Sequence, residues 1–221
     1  MCLNDFQKEK LIRNGFDANK CVVIPNFYNK QLEDKNHSFK DKEYIAFAGR
    51  ISPEKGLPIL IKAAKKIPNV SFHLAGLMRP SYKDELPKMP KNVILRGRLN
   101  QDEMKIFYEK AKLLVHTSIC YEGFPMVFPE AMAYKLPIIA PNLAGYPEIV
   151  EHNFNGLLFQ PENSDDLAEK IANIYNDEKE IQRLGNNGFQ KVTQKYSKQF
   201  YYNLLIDAYK NLIITPNYKK L

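Results

Sequence analysis

Residues 122–133 read Glu122-Gly123-Phe124-Pro125-Met126-Val127-Phe128-Pro129-Glu130-Ala131-Met132-Ala133 and join two predicted elements of different kinds. The apolar, β-branched run at residues 113–118 comes just before them and is typical of a buried strand. The small residues that follow favour a helix. Pro129 limits how early that helix starts, because proline is tolerated only in a first turn. We therefore predict a strand, a tight turn and a helix that begins near Pro125 or Met126.

The predicted turn combines an anion site with two acidic side chains. Gly123 lets a ligand or another backbone come close, and the free N–H groups of a first helical turn attract anions. Glu122 precedes the helix and Glu130 lies just inside it. Carboxylates repel phosphate but accept hydrogen bonds from hydroxyls, so the turn predicts a ligand with both phosphate and sugar hydroxyls. The alternative is a structural turn with two solvated glutamates.

The rest of the chain alternates short apolar runs with amphipathic segments. This spacing predicts an α/β fold, a parallel sheet with crossover helices. Ligands bind at the carboxyl ends of the strands in such sheets. Further strands are predicted at residues 21–26, 44–48, 70–75, 93–95, 137–140 and 156–159. Four predicted strand ends carry unusual residues and indicate one cleft: Gly49-Arg50, Gly76, Arg96-Gly97-Arg98 and Glu122-Gly123.

A second informative stretch, residues 49–56, reads GRISPEKG. Arg50 leaves the predicted strand end, and Lys55 lies near the start of the next helix. A cation there opposes the helix dipole, but it becomes favourable if an anion binds at that end. Together the two side chains can hold a diphosphate, Arg50 through its planar fork and Lys55 as a point charge. The alternative is two surface cations, one of them paired with Glu54.

Taken together, EGFPMVFPEAMA and GRISPEKG resemble the signatures of the family 4 retaining glycosyltransferases. That family has the GT-B fold, which consists of two Rossmann-like halves. The resemblance implies that Arg50 and Lys55 grip the phosphates of a nucleotide. It also implies that Glu130 accepts hydrogen bonds from the ribose and Glu122 from the transferred sugar.

The resemblance implies a wider site than these four side chains. Residues 96–99 resemble the loop that contacts the base, mostly through its backbone, and Arg98 fits either a phosphate contact or a rim ion pair. The implied catalytic residues are Arg50, Lys55 and Glu122. The implied substrate-binding residues are Gly49, Arg50, Lys55, Gly97, Arg98, Leu99, Glu122, Gly123, Phe124, Pro125, Met126, Val127 and Glu130.

The remaining reactive side chains give weaker signals. His116 and His73 fall inside apolar strand patterns, and we expect both to be hydrogen-bonded core histidines. Cys120 lies near Glu122 without an evident base, so no nucleophile is predicted. Four scattered histidines and the absence of an Asp-x-Asp motif favour a metal-independent reaction. No cofactor is expected beyond a UDP-type or GDP-type sugar donor.

Composition narrows the class of protein. The chain has 221 residues, 44% hydrophobic and 26% charged, and a net charge of +7. The basic residues are spread along the chain, which argues against a nucleic-acid partner and leaves phosphate ligands or a peripheral membrane surface. No apolar run reaches membrane length, and the first residues do not resemble a signal peptide. Three separated cysteines favour reduced thiols. We therefore expect a cytoplasmic protein, with the inner membrane face as an alternative.

The resemblance covers only the donor-binding half of a two-domain enzyme of polysaccharide biosynthesis. We expect residues 1–196 to form the nucleotide-sugar-binding domain, and residues 197–221 to pack toward an absent N-terminal half that binds a glycan or lipid-linked acceptor. The chain alone should be inactive. Two alternatives stay open: a non-catalytic half of a split glycosyltransferase, and half of a nucleotide-sugar epimerase. An excised domain and a natural half are equally compatible with the sequence.

Overall fold

The computed structural model describes residues 1–34, 39–84, 86 and 88–214. Parts of the predicted surface connection (residues 35–38) and of the predicted C-terminal tail (residues 215–221) lie outside the described residues. The helices and strands are, in chain order, α1 (Asp5–Arg13), β1 (Tyr44–Ala48), α2 (Leu57–Lys66), β2 (Phe72–Ala75), β3 (Val93–Gly97), α3 (Gln101–Glu109), β4 (Ala111–Val115), α4 (Val127–Ala133), β5 (Ile138–Pro141), α5 (Tyr146–Ile149), β6 (Gly156–Phe159), α6 (Ser164–Ile174), α7 (Glu178–Lys195) and α8 (Lys198–Ile214).

The strands form one parallel sheet in the order β3-β2-β1-β4-β5-β6. Parallel neighbours need long crossover connections, which most of these helices supply. The strand order reverses between β1 and β4, so the loops after these two strands leave the sheet in opposite directions and open a crevice. The predicted α/β sheet is confirmed, and the loops that carry the candidate site residues leave it at this reversal.

Strand β1 is the centre of the fold because its two faces belong to different apolar cores. Ile45 and Phe47 pack in the core with α2 and α6, whereas Tyr44, Ala46 and Ala48 pack in the core with α3 and α4. All five residues are buried, as expected for a parallel strand covered by helices on both sides. Full burial of one large apolar side chain stabilises by about 1.5–3 kcal/mol. The position of the following loop is therefore firmly held.

The carboxyl ends of β1, β2 and β3 are tied to one another by backbone hydrogen bonds. The N–H of Gly49 donates to the Ala75 carbonyl at 3.0 Å, and the N–H of Gly76 donates to the Gly97 carbonyl at 2.8 Å. A Cβ at Gly76 would collide with the Gly49 carbonyl, so only glycine permits this approach. These bonds confirm that the three predicted strand ends lie side by side.

Two predicted strands differ from the structure. Residues 21–26 form no strand. Among the described residues, this segment makes a single isolated bridge, between Val23 and Cys2. Strand β4 ends at Val115 rather than near Ser118. Beyond it, the hydroxyls of Thr117 and Ser118 donate to the carbonyls of Lys55 and Glu54. The chain therefore leaves the sheet a few residues before the predicted strand end, and its next residues bind the loop after β1.

Helix α8 packs against α7 and leaves much of its surface open. Tyr202, Tyr209 and Leu212 are each more than half exposed. In the part of the chain that the structure describes, no helix combines the length and the apolar character needed to cross a membrane.

Candidate functional site

The site lies where the loops after β1 and β4 meet. A short 3-10 helix, Pro53–Lys55, follows β1, and Gly56 then begins α2 in the left-handed conformation. Lys55 is thus two residues before the first residue of α2, near the start of that helix as the sequence predicts. A Cβ at Gly56 would collide with the Thr117 carbonyl, so the two loops touch directly. This contact brings residues about sixty positions apart into one crevice.

Lys55 and Glu122 form an ion pair across this crevice. Lys55 Nζ lies 2.9 Å from Glu122 Oε1, and the two side chains are 17% and 22% exposed. Lys55, which is predicted to bind phosphate, and Glu122, which is predicted to bind the sugar, are therefore direct neighbours. Their mutual attraction offsets part of the cost of taking both charges out of water.

Two further donors approach the same carboxylate oxygen. His116 Nε2 and Tyr146 Oη each lie 3.2 Å from Glu122 Oε1. Burial raises the pKa of the Glu122 carboxyl, but the neighbouring His116 imidazole and the hydrogen bonds of Lys55 and Ser118 outweigh it. The pKa therefore stays well below its ordinary value. Glu122 is held ionised, as a hydrogen-bond acceptor.

The expectation that His116 lies in the core is confirmed, but the expectation that it is hydrogen-bonded there is wrong. The residue is 5% exposed, and its Nε2 atom makes no well-aligned hydrogen bond within the described part of the chain. The Glu122 oxygen is near, but off the direction of good geometry. The imidazole ring packs edge-on against Phe128 and Tyr146. The apolar neighbours of His116 in the sequence indicated burial but gave no polar partner. Its position at the end of a strand was the signal that could have placed it near the site.

The same expectation holds for His73. Its ring stacks on Tyr44 with centroids 3.7 Å apart, and Arg96 Nε donates to its Nδ1 atom at 3.3 Å. Burial, and then the charge of Arg96, lower the pKa of His73 to about 4. This histidine is therefore partnered by Tyr44 and Arg96.

Arg50 is placed differently from Lys55. Its side chain is 64% exposed, and its guanidinium lies 3.8 Å from Glu54, to which Arg79 also donates at 3.2 Å. The ion pair with Glu54 that was kept as an alternative is therefore present, but loose. Exposed pairs of this kind contribute between zero and about 1 kcal/mol. Arg50 can leave it at little cost.

Glu130 lies one turn inside α4 and contacts a group of tyrosines. Tyr108 Oη donates to Glu130 Oε2 at 2.8 Å, and the Tyr108 ring stacks on Tyr134 with centroids 5.3 Å apart. Burial raises the pKa of Glu130, against the opposing effects of the Tyr108 hydrogen bond and the Lys30 charge. The buried Tyr108 hydroxyl occupies one carboxylate oxygen and orients the other.

The turn at residues 123–127 is covered by the start of the chain, which the sequence did not predict. Asn4 Nδ2 donates to the Gly123 carbonyl at 2.7 Å, and a Cβ on Gly123 would meet Gln7. The backbone N–H groups of Asp5 and Phe6 donate to the Glu148 carboxylate, each at 2.8 Å. The first turn of α1 therefore closes one side of the crevice.

The remaining predicted residues surround this centre. Helix α4 has seven residues, and the N–H of Phe128 already donates to the Pro125 carbonyl at 3.0 Å. The first turn of α4 therefore offers fewer free donors to an anion than the sequence suggested. Gly97 is the last residue of β3, and Arg98 and half-buried Leu99 follow it, two strands away from β1. Phe124 and Pro125 are buried, Val127 is half-buried and Met126 is exposed. No group of three or more potential metal ligands occurs among the described residues.

Comparison with known proteins gives a consistent result. Residues 29–191 match the family model described as Glycosyl transferases group 1. An uncharacterized glycosyltransferase of Methanocaldococcus jannaschii is 36% identical over 203 residues, covering 90% of this chain and 54% of that protein. The poly(ribitol-phosphate) alpha-N-acetylglucosaminyltransferase of Staphylococcus aureus is 30% identical over 199 residues, covering 85% of this chain and 39% of that protein.

A solved structure extends the comparison to three dimensions. The crystal structure of Anabaena HepE in complex with UDP and glucose is similar with a TM-score of 0.80 and 23% identity, covering 96% of this chain and 62% of that one. This similarity shows a common Rossmann-like α/β fold. The chain spans about half the length of the curated relatives it matches.

Proposed function

Because the chain belongs to the group 1 glycosyl transferases, we propose that it is the donor-binding half of a retaining, metal-independent GT-B enzyme of family 4. With a second half, it transfers a sugar from a nucleoside diphosphate to a hydroxyl of a glycan or lipid-linked acceptor. The Staphylococcus aureus relative carries a poly(ribitol-phosphate) acceptor in its name, and the HepE crystals contain UDP and glucose. Those names support a UDP-sugar donor and a polymeric acceptor, and we propose a role in polysaccharide biosynthesis.

The observation that carries this proposal is the Lys55–Glu122 pair at the reversal of the strand order. A diphosphate entering the crevice competes for Lys55, because its oxygens carry more charge than one carboxylate. Arg50 is exposed and loosely paired, so its guanidinium joins the same phosphates. Glu122 then has a free oxygen for a sugar hydroxyl.

The charges also fit the chemical step. Lys55 and Arg50 stabilise the negative charge that develops on the departing diphosphate. Glu122 is too weak a base to take a proton, since its pKa is held well below the ordinary value by its partners. The acceptor proton therefore passes to the leaving phosphate, on the same face as the sugar bond that breaks. This front-face course retains the configuration of the sugar without a protein base.

The half-length chain and its open surface support a partner half. Tyr202, Tyr209 and Leu212 form an exposed apolar part of α8. We place the acceptor-binding half against this helix, because its burial there would remove apolar surface from water. Donor binding belongs to this chain, and transfer requires both halves.

Calorimetry with UDP and GDP tests the phosphate assignment. The unmodified chain should bind one of them, and the double variant Arg50→Ala/Lys55→Ala should weaken that binding about 100-fold, since two charge-assisted contacts are lost. Lys62→Ala, an exposed lysine on α2, is the matched control and should leave the affinity unchanged. Equal affinity of the double variant and the unmodified chain would refute the assignment.

A further inference from the structure

One oxygen of Glu122 receives three donors that come from two directions. Lys55 Nζ lies 2.9 Å from Oε1 and belongs to the loop after β1. His116 Nε2 and Tyr146 Oη lie 3.2 Å from the same atom and come from the protein interior. His116 is 5% exposed and Tyr146 is 0% exposed, so neither side chain can itself contact a ligand in the crevice.

Tyr146 holds both ends of the short turn that carries Glu122. Its hydroxyl donates to the Cys120 carbonyl at 2.7 Å, and the same hydroxyl lies within hydrogen-bond distance of Glu122 Oε1. A hydroxyl has one proton, so the two acceptors share it. Burial raises the pKa of Tyr146, and the hydroxyl therefore stays a donor.

His116 meets the carboxylate from the same interior side. Its Nε2 atom has no well-aligned partner among the described residues, and Glu122 Oε1 is the acceptor within reach. An unpartnered polar atom at such a buried position is costly unless something compensates for it.

We infer that His116 and Tyr146 are positioning residues that hold Glu122 in place when Lys55 turns to the phosphates of the donor. This role rests on the proposed function, since it requires a sugar hydroxyl as the ligand of Glu122. In that reaction Lys55 also binds the phosphates of the donor, whereas the two interior donors bind no part of it. Both lie beside Oε1 from the interior side, so Oε2 faces the sugar. Specificity for the sugar, as distinct from the nucleotide, therefore depends on two residues that never contact the donor.

The experiment compares affinity for a sugar donor with affinity for its nucleoside diphosphate. UDP and UDP-glucose, and in parallel GDP and GDP-mannose, are titrated calorimetrically into the unmodified chain, Tyr146→Phe, His116→Phe and His116→Gln. Both phenylalanine variants should bind the nucleoside diphosphate within about twofold of the unmodified chain and the sugar donor about tenfold less tightly, the loss expected from one hydrogen bond. His116→Gln should restore most of that loss, because its amide places an N–H donor near the position of Nε2.

Matched controls lie near the amino ends of β1 and β2, whereas the crevice lies beyond the carboxyl ends of the strands. Tyr44→Phe removes a buried hydroxyl that donates to the Phe107 carbonyl at 3.0 Å, and His73→Phe replaces a buried histidine stacked on Tyr44. Both should lower stability and leave the ratio of the two affinities unchanged. An equal loss of affinity for UDP and UDP-glucose in the His116 and Tyr146 variants would show a role in packing alone and overturn the inference.

A ligand-free measurement separates this inference from the proposed function. Urea denaturation of His116→Phe, Glu122→Gln and the double variant should show a combined loss smaller than the sum of the single losses, because both changes weaken the same contact. Additive losses would overturn the positioning contact. Coupled losses in a chain that binds none of the four nucleotides would instead overturn the proposed function and, with it, the role in sugar recognition.

Discussion

Replacing Glu122 by glutamine tests the electrostatic description of the crevice. The change keeps the size of the side chain but removes the charge that faces Lys55 Nζ at 2.9 Å, and it leaves one neutral amide oxygen as the acceptor for His116 and Tyr146. A hydrogen bond to a charged group contributes roughly 1.5–3 kcal/mol. Because Glu122 is only 22% exposed, we expect Glu122→Gln to lower the free energy of unfolding by about 2 kcal/mol at pH 7.

The pH dependence of this difference gives the sharper test. The pKa of Glu122 is lowered in the folded state relative to about 4.3 in the unfolded chain. Its stabilisation is therefore complete above that value and is lost as the pH falls toward the folded pKa. One unit below 4.3, near pH 3.3, the difference between the unmodified chain and Glu122→Gln should have shrunk by about 1.4 kcal/mol.

Urea denaturation between pH 7 and pH 3.3, followed by circular dichroism, measures both quantities. Glu9→Gln is the control, because Glu9 is 64% exposed and pairs with Arg13 on the surface of α1. It should change stability by less than about 0.5 kcal/mol at every pH. A Glu122→Gln difference that stays constant down to pH 3.3 would refute the reasoning, since it would mean that Glu122 gains nothing from being ionised in the folded state.

Three other changes probe separate parts of the structure. Glu130→Ala should weaken UDP about tenfold but 2′-deoxy-UDP much less, and equal losses by calorimetry would remove Glu130 from the ribose. Gly56→Ala should lower the free energy of unfolding, measured by urea denaturation, by about 2–4 kcal/mol, because the φ of Gly56 is +72° and a Cβ would meet the Thr117 carbonyl. The control Gly15→Ala, with φ +90° and open space around the Cβ, should cost only about 1 kcal/mol. Lys191→Ala removes a buried ammonium group 2.7 Å from Glu151 and should cost about 2 kcal/mol in the same assay, a value near zero contradicting the burial argument.

The sheet and its binding edge could be predicted from the sequence because they depend on local periodicity and connectivity. Short β-branched runs such as residues 113–118 indicate buried strands wherever they occur. Once strands alternate with helices, the sheet must be parallel, and all its carboxyl ends meet at one edge. Arg50, Lys55 and Glu122 could therefore be assigned to one crevice before any contact was known. The resemblance to glycosyltransferases added the roles that we propose for these residues.

The contacts between these residues were decided only by tertiary packing. Lys55 could have paired with Glu54, its sequence neighbour, but the close approach of Gly56 to Thr117 places it on Glu122 instead. His116 looked like an ordinary core residue because an apolar pattern records burial and not the polar partners of a side chain. Chain order alone likewise does not place Asn4 against Gly123, 119 positions away. Such pairings depend on how separate elements are brought together in space, and that is set by the packing of the whole fold.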